Sequence, residues 1–248
     1  MTKNRKEILK EAGERLAFLS EIGAGFVASR PKSESPAAGT RADGPVGTDR
    51  NDPGDRVPEP ASGLSFDELV GKVLACRLCP LSERRTKAVP GEGNRKAELM
   101  FVGEGPGRDE DVQGRPFVGR AGQLLTKIIE AMKSTRDDVY IGNVVKCRPP
   151  ENRTPFPDEV AACGPYLLRQ IELIKPRVIV TLGKTATDFF IPGRASMGNR
   201  RGVFAEFKGI KVMPTYHPSY LVRNEGNRDL KRQVWEDMQK VMEFLAKK

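Results

Sequence analysis

The stretch LMFVGEGPGRDEDVQGRPFVGRAG, residues 99–122, decides the fold of this 248-residue chain. Its first four residues are apolar, and glycines, acidic residues and a phenylalanine at position 117 follow at once. A buried strand that runs into a glycine-rich loop is typical of the carboxyl edge of a parallel sheet, where α/β proteins bind their ligands. Glycines also let the backbone approach a ligand closely. The stretch therefore predicts a strand followed by a site loop, with an ordinary turn-rich loop as the alternative.

Strands and helices alternate on both sides of this stretch. Strands are predicted over 98–103, 139–145, 178–182 and the hairpin arms 203–207 and 210–213. Helices are predicted over about 65–75, 123–133, 158–174, 183–190 and 229–245. This alternation predicts a three-layer α/β/α domain around a central, mainly parallel four-stranded sheet.

The chain divides into three parts by composition. Residues 1–29 place apolar side chains at helical spacing between charged ones, which predicts an amphipathic helix. The alternatives are docking on the main domain, recruitment of a partner protein, or an undocked helix in solvent. Residues 30–63 are rich in Pro, Gly, Ser and Asp, so they cannot offset their ordering entropy by burial and are predicted to be a disordered linker. The folded domain is predicted to span 64–248.

The charge of the chain favours a polyanionic partner. Its formal net charge is +9 and its pI is near 9.5, values that suit nucleic acid or an anionic membrane surface. No apolar run approaches the roughly 20 residues that a membrane helix needs, and charged residues interrupt the apolar ones at the N-terminus. We therefore expect a cytoplasmic protein that binds no membrane and acts as a monomer.

The four cysteines of the chain are candidate ligands. They are Cys76, Cys79, Cys147 and Cys163. In a reducing compartment they would form no disulfides, which favours a metal or a cluster. Four thiolates can hold either a zinc ion or a [4Fe-4S] cube, and the spacing alone does not choose between these and unligated cysteines. Nearby basic residues, among them Lys146, Arg148 and Arg153, are candidates for phosphate contacts.

Three further residues are expected at the edge of the sheet that carries the glycine-rich loop. His217 is the only histidine and follows the last predicted strand. Asn143 lies near the end of the second strand, and its amide offers the donor and acceptor that suit the Watson–Crick edge of a pyrimidine. Phe117 in a polar loop suggests a stacking platform. A packed histidine, a turn asparagine and a buried loop anchor are the alternatives.

A family resemblance is carried by four motifs in order. They are the segments GEGPGRDEDVQGRPFVGRAGQLL, YIGNVVKCRPPENRTP and PTYHPSYLVR and the four-cysteine spacing. Together they resemble the family 4 uracil-DNA glycosylases, the iron-sulfur-containing branch of their superfamily, over about residues 64–245. The resemblance implies a DNA repair enzyme that flips uracil out of single- or double-stranded DNA and hydrolyses its N-glycosidic bond, leaving an abasic site.

The resemblance also implies roles for single residues. The four cysteines match the ligands of a [4Fe-4S] cluster, which favours iron over zinc. Phe117 matches the residue that stacks on the extruded uracil, and Asn143 the one that reads its N3 and O4 edge. Glu104 and Gly105 match positions that line the pocket. Glu110 matches a side chain that crowds C5, where thymine carries a methyl group.

The last motif carries the implied leaving-group chemistry and part of the DNA contact. His217 matches the motif histidine near the uracil O2, while Tyr220, Leu221 and Arg223 belong to the loop that enters the DNA. Uracil leaves as an anion, so a donor at O2 stabilises charge that develops only in the transition state. His217 fits that role.

The source of the attacking water stays open at the level of sequence. Gly105 stands where the better-known family 1 relatives have a water-orienting Asp. Either Glu104, Glu110 or another acid positions the water, or the reaction is dissociative enough to need little activation. A related branch traps DNA covalently through a further histidine, which the loop at 198–203 lacks. The alternative from another class is a non-catalytic DNA-binding module.

Overall fold

The computed structural model describes residue 61 and residues 63–247. The predicted helix over 1–29 and nearly all of the predicted linker over 30–63 lie outside the described residues, so the division of the chain remains a prediction. Ala61, which the sequence places in the linker, is buried against the core. Among the described helices none is both long and apolar enough to cross a bilayer.

One six-stranded sheet forms the centre of the domain. Its strands are β1 (Glu92–Gly93), β2 (Leu99–Gly103), β3 (Tyr140–Asn143), β4 (Val178–Leu182), β5 (Ala205–Phe207) and β6 (Ile210–Thr215). They lie side by side in the order β1-β3-β2-β4-β6-β5. The inner four are parallel, and β1 and β5 each pair antiparallel at an edge. The predicted mainly parallel α/β fold is confirmed, and the predicted number of strands is corrected from four to six because two short strands close the edges.

Helices cover both faces of the sheet. They are α1 (Phe66–Ala75), α2 (Leu81–Arg84), α3 (Arg108–Gln113), α4 (Arg120–Ala131), α5 (Pro157–Ile174), α6 (Lys184–Phe190), α7 (Met197–Arg200), α8 (Pro218–Arg223) and α9 (Arg228–Ala246), with a 3-10 turn at Pro150–Asn152. Apolar side chains of α4, α8 and α9 pack on one face, and those of α1, α5 and α6 pack on the other. The domain is therefore three-layered, as predicted.

Strand β2 shows how the sequence builds the two cores. Leu99 and Phe101 belong to the core under α4 and α9, whereas Met100 and Val102 belong to the core under α1 and α5. Successive side chains of a strand point to opposite faces, so an uninterrupted apolar run suits only a strand covered on both sides. All five residues of β2 are buried, and so are all five of β4.

A buried carboxylate on α9 ties the end of β6 to the loop before β5. Asp237 is fully buried and accepts hydrogen bonds from Arg201 Nε at 3.0 Å and from Thr215 Oγ1 at 2.6 Å. Burial raises the pKa of Asp237, and the bonds from Thr215 and Arg201 oppose that rise. Since Thr215 ends β6 two residues before His217, this network fixes where the strand delivers the histidine.

We expect Asp237→Ala to lower the free energy of unfolding by about 3–5 kcal/mol, because it leaves the Arg201 guanidinium, 14% exposed, without its partner. Urea-induced unfolding measures this loss. Glu236→Ala is the matched control, since Glu236 is 51% exposed and makes only a 3.7 Å surface pair with Arg232, worth about 0–1 kcal/mol. Equal losses in the two variants would contradict a structural role for Asp237.

Candidate functional site

A cavity of about 460 Å³ opens at the carboxyl edge of the parallel strands. Its walls come from the glycine-rich loop, the ends of β3 and β4, the loop over 149–154 and the segment over 217–223. The predicted site residues that line it are Glu104, Gly105, Glu110, Phe117, Asn143, Arg153, His217 and Arg223. Segments far apart in sequence thus meet where parallel strands end together.

Asn143 presents an unsatisfied polar atom at this cavity. Its side chain is 1% exposed, and its Oδ1 has no hydrogen-bond partner in the structure. A buried acceptor without a partner costs about 1–3 kcal/mol. Gly103 makes room for it, because a Cβ there would lie 2.5 Å from both Asn143 Oδ1 and Phe117 Cζ. The orphaned oxygen indicates that the cavity takes a ligand with a hydrogen-bond donor.

A buried lysine holds the backbone of Asn143. Lys146 Nζ donates to the Asn143 carbonyl oxygen at 2.8 Å and to Gln170 Oε1 at 2.7 Å. Gln170 in turn donates to the hydroxyl of Tyr140 at 3.0 Å. Burial lowers the pKa of Lys146 to about 8. The prediction that Lys146 contacts phosphate is wrong, because its ammonium points into the protein, and sequence reasoning missed its role as a support for Asn143.

The loop that carries Phe117 is held in an unusual conformation. Phe117 is buried and has a φ of 52°, in the left-handed region that most residues avoid. Arg136 donates to the carbonyl oxygens of Phe117 at 3.0 Å and of Pro116 at 2.7 Å. These bonds, together with close packing of Gly122 against the Phe117 backbone, fix the ring at the cavity wall.

Glu110 fastens the same loop from its other side. Its Oε1 accepts from the backbone N–H groups of Val118 at 2.8 Å and Gly119 at 2.9 Å, and its Oε2 accepts from Gly107 at 3.1 Å. One carboxylate thus caps the first turns of both α3 and α4. Glu110 lies three residues after the helix N-cap Gly107 and makes the half of a capping box in which the glutamate accepts from the N-cap N–H; this spacing is the signal in the sequence for its role. Its proximity to C5 of a bound base remains a prediction.

His217 is held as a neutral imidazole with a known tautomer. Its Nδ1 accepts from the Ser219 backbone N–H at 3.1 Å and lies 2.8 Å from Ser219 Oγ, so the ring proton sits on Nε2. Burial, and then the charge of Arg223, lower the pKa of His217 to about 4. The ring lies 5.7 Å from that of Phe117, centroid to centroid. His217 therefore offers an uncharged N–H donor at the cavity.

Glu104 is a second acidic side chain at the cavity. It is half-buried, and its carboxylate accepts a hydrogen bond from Thr185 Oγ1 on α6. Gly105, the next residue, has no room for a side chain, because a Cβ there would lie 2.7 Å from Val145 Cγ2. An acid at position 105 would require Val145 to move.

The predicted DNA-contacting residues separate into two groups. Arg153 lines the cavity, but its guanidinium is bound to the buried Glu159 by bonds of 2.8 and 2.7 Å. The prediction that Leu221 enters DNA is not supported, because it is 2% exposed and packs in the core. Tyr220 is 40% exposed, and Arg223 lies at the cavity. Both lie on the short helix α8 rather than in a loop.

Arg148 keeps its side chain near the surface. Its Nε donates to Asn152 Oδ1 at 2.7 Å, within the loop that contributes to the cavity wall. This single bond orients the guanidinium at the protein surface. The arrangement is compatible with the predicted phosphate contact.

The four cysteines lie on the α1 and α5 side of the sheet. Cys147 and Cys163 are buried, and Cys76 and Cys79 are half-buried. Arg85 Nη1 donates to Cys147 Sγ at 2.9 Å, and the Lys146 backbone N–H donates to Cys163 Sγ at 3.2 Å. Burial raises the pKa of the Cys147 thiol and takes that of Cys163 to about 12. In the described part of the chain, no group of three or more His, Cys, Asp or Glu side chains has an arrangement that could hold a metal ion.

Comparison with known proteins gives consistent matches. A model of the uracil DNA glycosylase superfamily matches residues 90–239. The chain is 54% identical over 178 residues to a type-4 uracil-DNA glycosylase of Thermotoga maritima, which covers 71% of this chain and 92% of that protein. It is 46% identical over 193 residues to a type-4 uracil-DNA glycosylase of Saccharolobus solfataricus, covering 74% and 88%. It is 43% identical over 197 residues to a type-4 uracil-DNA glycosylase of Archaeoglobus fulgidus, and the match covers 74% of this chain and 95% of that protein.

We expect Glu110→Gln to loosen the Phe117 loop, because the amide group turns a donor toward backbone N–H groups that need an acceptor. Hydrogen exchange at the amides of Val118 and Gly119 should become faster, and the free energy of unfolding should fall by about 1–3 kcal/mol. Glu130→Gln, an exposed carboxylate on α4, is the control. Unchanged exchange at Val118 and Gly119 would show that Glu110 does not hold the loop.

Proposed function

The chain belongs to the uracil-DNA glycosylase superfamily and to its type-4 members, and on that premise we propose how its cavity excises uracil. The protein cleaves the bond between N1 of uracil and C1′ of deoxyribose in DNA, which leaves an abasic site for base excision repair. The observation that carries the proposed site is the orphaned Asn143 Oδ1 beside Phe117 and His217 in one cavity.

The proposed recognition of uracil uses the amide of Asn143. Its Oδ1 accepts from the N3–H of the base, and its Nδ2 donates to O4. Cytosine lacks a proton on N3 and carries a donor at C4, so both bonds would be lost and buried polar groups would remain unpaired. Phe117 supplies a flat apolar wall on which the base stacks. Its place in a doubly fastened loop supports this role, because the ring is already positioned before the base arrives.

His217 is proposed to stabilise the departing base. Its Nε2–H donates to O2, where negative charge grows as the glycosidic bond breaks. With a pKa of about 4, the imidazole is neutral at physiological pH and acts by a hydrogen bond without transferring its proton. The Ser219 N–H on Nδ1 supports this proposal because it keeps the proton on the nitrogen that can face the base.

Glu104 is proposed to position the attacking water. It lines the cavity, and the bond from Thr185 fixes its carboxylate. Glu110 is less suited, because its oxygens already accept from three backbone N–H groups. Gly105 offers no side chain. In a dissociative transition state the attacking water needs little activation by a base, so Glu104 needs only to hold the water in place.

Arg148, Tyr220 and Arg223 are the residues that we propose for DNA contact. Arg223 and the aromatic ring of Tyr220 lie on α8, immediately after His217, so they reach the strand beside the extruded nucleotide. Arg148 serves a phosphate from the neighbouring loop. The positive net charge of +9 supports binding to either single- or double-stranded DNA.

We propose that the four cysteines ligate a [4Fe-4S] cluster. The donor set fits, because it consists of four sulfur atoms, two of which already accept hydrogen bonds from nitrogen donors that would stabilise thiolates. When bound, the cluster would supply positive charge that offsets burial of the thiolates and would join three separate segments of the chain. Excision itself requires only the residues around the cavity.

The assembly state and setting of the protein are also proposals. We propose that the protein acts as a monomer. A cytoplasmic location and a protein partner for residues 1–29 rest on composition and amphipathic pattern.

We expect His217→Ala to lower the single-turnover rate of uracil release from an oligonucleotide by about 100- to 1000-fold, while binding of that DNA stays nearly intact. Asn143→Ala is the contrasting variant, because it should weaken binding as well as rate. Binding and rate falling in proportion in His217→Ala would make His217 a structural residue.

The same assay tests the charge of His217. Since its pKa is about 4, the imidazole stays neutral over neutral and mildly acidic pH, and the wild-type rate should not change as pH falls through about 6.5. A rate that rises through that pH would instead assign the cation to the reaction.

Protein purified without oxygen should be brown and contain about four iron and four sulfide ions per chain. Cys163→Ser should lower both, because it removes one of the proposed ligands. Elemental analysis and acid-labile sulfide measure this. About one zinc ion without sulfide would overturn the cluster.

A further inference from the structure

Phe156 is an apolar side chain held at the surface beside the cavity. It is 54% exposed, and with Tyr220 it forms the pair of exposed large aromatic residues in the described part of the chain. It lies between Pro155 and Pro157, immediately before α5. Two cavity-lining residues, Arg153 and Thr154, lie just before it.

The ring of Phe156 is fixed rather than free. The Arg153 guanidinium carbon lies 3.8 Å from its centroid, which is cation–π stacking on one face. The same guanidinium is bound to Glu159, 2% exposed, which also accepts from the Phe156 backbone N–H at 2.7 Å. Arg153 therefore orients the aromatic ring. A ring positioned in advance loses little entropy when it binds a partner.

Neither the fold nor the helix cap explains a phenylalanine at this position. The residue before a helix is usually Ser, Thr, Asp or Asn, whose side chains cap the first N–H groups, and Phe156 makes no such bond. Its ring is mostly outside the core. Basic side chains lie in the preceding loop, at Arg148 and Arg153, and on the cavity wall, at Lys184 and Arg223.

An exposed aromatic ring on a basic surface is how proteins stack unpaired nucleobases. We propose that Phe156 stacks on the base next to the extruded uridine, in the same strand. It occupies the step that extrusion leaves unstacked and so makes the flipped state less costly. This inference rests on the proposed function, because it needs a nucleotide turned into the cavity.

The test uses a duplex that carries 2′-fluoro-2′-deoxyuridine, which resists cleavage, next to the fluorescent base 2-aminopurine. We expect Phe156→Ala to weaken binding of this duplex about 5- to 150-fold and to raise the 2-aminopurine fluorescence of the complex, because the base loses its stacking partner. Phe156→Tyr should keep both properties of the wild type. Val203→Ala, an equally exposed apolar site outside the cavity wall, is the control and should change neither.

The salt dependence of binding separates stacking from charge. Phe156→Ala should leave the slope of log affinity against log salt unchanged, because it removes no phosphate contact. A smaller slope would mean that the variant acts by displacing Arg153, and it would overturn the proposal, as would binding and fluorescence equal to the wild type. Release of uracil from the unmodified duplex by wild-type protein is measured alongside. Failure of that release would refute the proposed function, whereas normal release with an inert Phe156→Ala would refute only this inference.

Discussion

The parallel register of β2 against β3 is the constraint on which the site depends. It pairs Gly103 with Asn143, so the first residue of the glycine-rich loop lies directly beside the amide that faces the cavity. A residue larger than glycine at 103 would collide with Asn143 and Phe117 alike. A slip by one residue would turn Asn143 to the other face of the sheet. The apolar pattern of both strands prevents that slip, because each face of β2 packs in a different core.

Features that depend on the periodicity of apolar residues and on strand order were predicted from the sequence. The direction in which single side chains point was not. Strand β4 was predicted at its observed bounds, because a β-branched run between a helix-stopping proline and a glycine is typical of a short buried strand. Phe117, Asn143 and His217 were predicted to lie close together because each was placed at or after the carboxyl end of a strand. Lys146 points into the protein, Arg153 pairs with Glu159 and Leu221 packs in the core, and none of these directions was predictable, because the sequence pattern of such a residue is the same whether it points into the core or out to DNA. Of the two edge strands, β5 was predicted as a hairpin arm over 203–207, whereas the two residues of β1 were too few to leave a pattern.

Among the described residues most buried polar side chains are satisfied, and the exceptions are Trp235 Nε1 and Asn143 Oδ1. Lys146, Gln170, Glu159 and Asp237 all have partners at hydrogen-bond distance, as buried polar groups generally must. Asn143 Oδ1 is the exception at the cavity. The chain therefore places a buried acceptor where a substrate can satisfy it. That arrangement favours a ligand that donates a hydrogen bond.

Glu110 fastens its loop through backbone amides alone, and this has a consequence for how the family can diverge. Any residue except proline supplies an N–H group, so the side chain at 118 can change as long as the local conformation is kept. At 107 and 119 only glycine fits, because a Cβ would lie 2.7 Å from Glu110 Oε2 and 2.9 Å from Asp109 Oδ2, respectively. The position of the aromatic wall therefore depends on one carboxylate and two glycines, and not on the side chain at 118. Evolution can then alter the surface at that position while the geometry inside the cavity stays the same.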